Sequence, residues 1–154
     1  MREVINACKW IYLREIGEPV DNTLRIVIEE AKADGPPKDC EVVPGKVVSG
    51  LRDIKTDENC QAFEIVWPSY VAYSVRNESF CMIDKLEVSD GRLFCLYSKS
   101  HFLDFVARAT FASTDYPGPL RHWGINCLNH ILDVVSTAEP QIQCTSRPQA
   151  PAIE

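Results

Sequence analysis

The chain has 154 residues, 16 Lys and Arg against 22 Asp and Glu, a net charge of −6 and 45% apolar residues. One domain of that length buries a sizeable core, and a surface of that sign repels phosphate backbones, so nucleic acid is excluded as an expected partner. The apolar run at Trp10–Leu13 is shorter than the roughly seven residues of an export signal, and no stretch approaches the about twenty a spanning helix needs. A cytoplasmic location without a membrane partner is expected.

The elements are predicted in chain order. Val4, Ile5, Cys8, Ile11 and Tyr12 share helical spacing, which allows a short opening helix. The rings and branched side chains of "KWIYLREI" predict a strand from about residue 9. "GEPVDN" (17–22) reads as a turn and "TLRIVIEEAK" alternates as a strand, giving a hairpin. "ADGPPKD" (33–39) reads as a loop, because its prolines remove backbone donors. "CEVVPGKVVSGLRDI" gives two short strands hinged at Pro44-Gly45, and "KTDENC" a polar connection.

Phe63, Ile65, Trp67, Val71, Tyr73 and Val75 then share one parity, and Glu64, Ser74, Arg76 and Glu78 the other. That pattern predicts one half-buried strand of more than ten residues, with a break, bulge or edge at Pro68. Tyr70 and Phe80 fall on the polar parity and are expected on the exposed face. Asn77-Glu78-Ser79 spells a glycosylation acceptor, but in a cytoplasmic chain it reads as the turn that ends the strand. "DKLEVSDGRLFCLYS" predicts a hairpin turning at Asp90-Gly91. "SKSHFLDFVARATFA" predicts an amphipathic helix over about residues 99–111, capped by Ser98 or Ser100, with Phe102, Phe105, Val106 and Ala109 as its apolar stripe. "STDYPGPL" ends it. "RHWGINCLNHILDVVS" is read mostly as strand, although Leu128, Ile131, Leu132 and Val135 would also suit a helix. The expected architecture is one α+β domain over residues 1–140, mostly antiparallel sheet with that helix packed on it, and a flexible tail over 141–154.

Chemical motifs are sparse. Seven cysteines, odd in number and without a C-x-x-C, read as reduced core thiols and not as a disulfide framework. His122 and His130 are eight residues apart, ~26 Å along a strand or ~12 Å along a helix, too far to share an ion without a bend. Cys127 and His130 could share a helical face but would need further ligands. No metal and no cofactor is expected. Nucleophile-elbow, zincin and phosphate-loop signatures are absent from the sequence, so no catalytic residue is assigned. An enzyme would have to use His122 or His130 as base with Cys81 or Cys127 as nucleophile. Glu78 beside Arg76, and Asp104 near His101, read as solvated faces and a local ion pair. Tyr70, Tyr73, Arg76 and Glu78 combine rings and charges on one predicted element, the composition of a binding hot spot, and form the candidate partner-binding set.

The strings "YVAYSVRNESF", "LYSKSHFLDFV" and "HWGINCLNHILDVVS", within residues 62–136, resemble small bacterial proteins of the polymorphic-toxin immunity type. The shared features are the aromatic spacings, the Asn77-Glu78-Ser79 turn, Ser98-Lys99-Ser100 before the helix, and His122, His130 and Asp133. The resemblance implies a cytoplasmic binding protein without catalysis and a toxin domain as partner. It carries no catalytic residue onto this chain. The expectation is therefore a non-enzymatic domain that binds another protein. The two alternatives are a small hydrolase-like enzyme with a His/Cys site and a homodimer joined through exposed aromatic residues.

Overall fold

A short helix, α1 (Arg2–Ala7), precedes the first hairpin, β1 (Trp10–Val20) and β2 (Thr23–Val43), in the computed structural model, which describes residues 1–145. There follow β3 (Lys46–Lys55), β4 (Ala62–Trp67), β5 (Ala72–Asn77), β6 (Val88–Asp90), β7 (Phe94–Lys99), α2 (His101–Ala109), β8 (Arg121–Asn126), β9 (His130–Ser136) and β10 (Gln141–Thr145). The strands form two antiparallel sheets. One has the order β1-β2-β4-β10, with β3 also paired to β2, and the other the order β5-β9-β8-β7-β6.

Alternation determines which side chains meet between the sheets. Ile26, Ile28, Phe63, Ile65 and Trp67 of the first sheet and Phe94, Trp123, Ile125, Leu132 and Val134 of the second are all buried in one cluster. Trp67 stands edge-on to Phe94 at 6.2 Å, and Phe94 lies 5.7 Å from Trp123. Each large side chain taken out of water contributes about 1.5–3 kcal/mol, so this layer dominates stability. Two asparagines stitch the layers. Asn129, in the turn between β8 and β9, accepts from the Leu13 amide and donates to the Leu13 carbonyl, both at 3.0 Å. Asn6 of α1 accepts from the Arg92, Leu93 and Phe94 amides at the start of β7.

The expected mostly antiparallel architecture is observed, and several elements are redrawn. The long strand predicted across Pro68 is two strands in different sheets. β4 ends at Trp67, the chain crosses the sandwich through Pro68–Val71, and β5 resumes the alternation at the sheet edge, where Tyr73 and Val75 keep the parity of Trp67 but are exposed and not buried as expected. Residues 33–39 belong to β2 and are not a loop. The register slips between Asp34 and Lys38, where Pro36 and Pro37 cannot donate and Gly35 takes φ 73°. There β2 has left the body and pairs only with β3, in a ribbon whose residues 32–55 include none that is buried. Residues 121–136 form a hairpin, β8 and β9, turning at Cys127–Asn129. The expected tail is ordered at its start, where Gln141–Thr145 pairs with β4 as β10; residues 146–154 lie outside the described residues. No helix among the described residues is long and apolar enough to cross a membrane.

β5 and β6 are opposite edges of the second sheet, so their connection must cross three strands. It does so as a strap over the outer face, starting with a 3-10 turn at Glu78–Phe80 in which Asn77 Oδ1 accepts the Ser79 amide at 3.0 Å. α2 covers the neighbouring part of that face. It is shorter than predicted, and Ser100 caps it by accepting the Leu103 amide. Only Val106 of its apolar stripe is buried.

Candidate functional site: a cleft between the strap and helix α2

The outer face of the second sheet carries polar side chains at the positions that alternate with the core. Ser74 and Arg76 project from β5, Asp133 from β9, His122 from β8 and Tyr97 from β7. Gly124 is what lets Tyr97 lie flat there, because a Cβ at position 124 would come within 2.6 Å of the Tyr97 ring. Tyr97 stacks on His122 at 4.4 Å, and Phe102 of α2 closes on the same imidazole at 5.5 Å. Burial disfavours the phenolate and pushes the Tyr97 hydroxyl up to about 12.

His122 is the centre of a line of bonds. Ser100 Oγ lies 2.7 Å from Nδ1, and Asp133 Oδ1 lies 3.0 Å from Nε2. Ser100 Oγ also accepts the Leu103 amide, so the same hydroxyl joins the cap of α2 to the imidazole. Asp133 Oδ2 accepts from Arg76 Nη2 at 2.9 Å and from the Ser74 hydroxyl at 3.1 Å. Desolvation raises the Asp133 carboxyl, but the His122 bond, the Arg76 charge and the Ser74 bond outweigh it and hold it below the usual carboxylate range. The network ties the floor of the outer face to the start of α2.

Above this floor lies a cleft of about 860 Å³. Arg76 and Asp133 form its base, Phe102 and Phe105 of α2 one wall, and Phe80 and Met82 of the strap the other. A second hollow of about 390 Å³ runs beneath the strap over Tyr97, Asn126 and Ile131, and Arg76 borders both. Two contacts fasten the strap to α2: His101 Nε2 to Asp84 Oδ2 at 2.7 Å, and the His101 amide to Glu87 Oε1 at 3.0 Å. The hydrogen bond to Asp84 holds the His101 imidazole above its ordinary value and the Asp84 carboxyl below its own.

The strap turns apolar side chains to solvent. Phe80 is 85% exposed, Met82 89% and Leu86 62%, and Phe105 across the cleft is 58% exposed. Ile83 also projects fully from the same segment. Isolated exposed apolar residues are ordinary, but a contiguous group rimming a concavity marks an interaction site.

The predicted partner-binding residues do not form one surface. Arg76 and Glu78 border the cavities. Tyr73, on the other side of β5, and Tyr70, in the crossing before it, meet edge to face at 5.0 Å with both hydroxyls donating to Glu18. Tyr70 is half-buried against the core, contrary to the exposed position expected for it, because the crossing at Pro68 reverses the face it meets. Its hydroxyl is pushed up to about 12, chiefly by the bond to Glu18. No hydrogen bond joins the side chain of His122 or His130 to that of Cys81 or Cys127 among the described residues. Cys127 and His130 meet through their backbones, the Cys127 amide donating to the His130 carbonyl at 2.9 Å across the turn. Cys81 Sγ approaches the Asn77 carbonyl at 3.4 Å, and Cys127 is a buried thiol raised by desolvation. His101 pairs with Asp84 and not with the expected Asp104. All seven thiols are free, but the core position expected of them holds only for Cys8, Cys95 and Cys127; Cys60 and Cys81 are half-buried, and Cys40 and Cys144 are exposed on strands at the periphery.

Asp84 carried no signal in the sequence, and His122, Ser100 and Asp133 were marked separately, as a candidate base, a candidate cap and a shared feature, without being joined into one line. A hairpin assignment for residues 121–136 would have placed His122 and Asp133 side by side. The chain matches no family model, no curated protein and no solved structure.

Proposed function

We propose that this α+β domain is a non-enzymatic, cytoplasmic protein-recognition module, and that the cleft between the strap and α2 receives the partner. The carrying observation is the group of exposed apolar side chains, Phe80, Met82 and Phe105, around a cleft with a polar floor, with Ile83 and Leu86 exposed on the same strap. Burying each would contribute about 1.5–3 kcal/mol, enough for specific association once ordering costs are subtracted. The resemblance of residues 62–136 to immunity proteins makes a toxin domain the partner to try first. Phe105→Asp and Met82→Asp, with unchanged circular dichroism, are expected to abolish capture of a partner that the wild-type chain and a Val4→Asp surface control both retain. Equal capture by all four would remove the cleft from the account.

A second reading, acyl transfer at Ser100, draws on the Ser100–His122–Asp133 line. Three features count against it. Ser100 is 2% exposed, its oxygen is already occupied in capping α2, and neither cavity is lined by Ser100 or His122. Covalent labelling of Ser100 by a fluorophosphonate would favour this reading over the first, and an unlabelled chain would retire it.

A further inference from the structure

We infer that the partner enters as an extended segment, adding a strand to the free edge of β5 and presenting apolar side chains to the cleft and basic ones to the carboxylates around it. This rests on the reading of the cleft as a protein-recognition site. β5 ends its sheet and pairs with β9 alone, so one row of its backbone donors and acceptors lacks a strand partner among the described residues. Proteins usually blunt such edges with proline, lysine, bulges or very short strands. The other edge of this sheet is blunted, since β6 has three residues and a slipped register. β5 is not. Its six residues contain no Pro or Lys, and its register runs unbroken from Ala72↔Val135 to Asn77↔His130.

The edge and the cleft adjoin. Ser74 and Arg76, on the outer face of β5, also line the cleft. A strand added ~4.8 Å beyond β5 would place every second side chain on that same face, beside Arg76 and toward Phe80 and Phe105. The remaining side chains would lie along Tyr73 and Val75, which are themselves partly exposed at the lip. Strand-addition sites commonly work this way, with main-chain bonds supplying affinity and pockets for alternate side chains supplying specificity. Charge selects the partner. Glu78, Asp84, Glu87 and Asp133 line the cavities against Arg76 and His101, on a chain of net charge −6. That favours Lys or Arg in the incoming segment and disfavours pairing with a second, equally acidic copy.

The test is selection of random linear dodecapeptides on the immobilised full chain, followed by synthesis of the enriched sequences. Enriched peptides are expected to alternate apolar with polar residues and to carry Lys or Arg. N-methylation at alternate positions of one parity is expected to weaken binding by about tenfold or more, with the other parity tolerated. Val75→Lys and Phe105→Asp, each checked for folding, are both expected to abolish binding. Apolar residues at helical spacing, tolerance of N-methylation throughout, or acidic enriched peptides would overturn the inference. If Phe105→Asp still abolished binding in those cases, the cleft reading would survive. Peptides indifferent to Phe105→Asp, or no enrichment at all, would overturn both. A chain that dimerises through β5 would overturn the inference in favour of self-pairing.

Discussion

Asp133 holds three donors on one carboxylate, and each comes from a different strand or strand position: His122, Arg76 and Ser74. Asp133→Ala would leave a buried imidazole and a guanidinium without their acceptor, and we expect a loss of about 2–3 kcal/mol in urea unfolding. The folded carboxyl is depressed, so its contribution is present above the ordinary carboxylate range and is lost as pH falls through the lower folded value. The variant should therefore unfold with a weaker acid dependence below pH ~4. Ser100→Ala should cost about 1 kcal/mol through the lost cap alone, and more if the His122 bond counts. At His101 the sign is opposite. Its pKa is raised by Asp84, so the pair's contribution is complete below the ordinary imidazole value and is lost as pH rises through the higher folded value. The imidazole resonances of His101 should titrate with a midpoint above 6.5, and Asp84→Asn should bring that midpoint back toward 6.5; an unchanged midpoint would mean that the pair does not form in solution.

Among the elements, the ribbon of β2 and β3 beyond Ala31 is the most separable. None of residues 32–55 is buried, and Lys32 faces Lys55 and Asp34 faces Asp53 directly across the ladder, relieved by the Lys32–Glu30, Lys38–Asp53 and Lys55–Asp34 pairs. Replacing Asp34–Asp53 by Asn-Gly, so that Ala33 and Ile54 close a two-residue hairpin, should leave the body folded and change its urea stability by no more than about 1 kcal/mol. Loss of cooperative unfolding would show that the ribbon supports the core. The ribbon also marks where sequence reading stopped short. Pro36-Pro37 and Gly35 signal a loop when a strand is assumed to be central, and here the strand has left the sheet, so a missing donor costs little. In the same way, period two continues across Pro68 although the chain changes sheets, and beyond the crossing it no longer tracks burial, because β5 is an edge strand that leaves Tyr73 and Val75 exposed. The hairpin at Asp90-Gly91, a cap at one of the two serines before α2 and the turn at Asn77 were legible because their causes are local, whereas the first turn is confined to Asp21-Asn22 and residues 17–20 of the expected turn continue β1.

At the scale of the molecule, the cleft was only partly legible. Arg76 was marked by type and Phe105 as part of the helix stripe, but Asp84 joins them and Asp133 only because the strap must cross from one edge of the sheet to the other, a fact of topology that no local pattern carries. The sandwich supplies a rigid floor, the Asp84–His101 pair fixes the strap to α2, and the apolar side chains between them face solvent. The measurement that tests this account most directly is amide hydrogen exchange on the chain with and without a saturating partner or selected peptide. We expect protection to concentrate in Ala72–Glu87 and His101–Ala109, with residues 32–55 unchanged. Protection confined to the β2–β3 ribbon, or spread without preference over both sheets, would contradict recognition at the cleft.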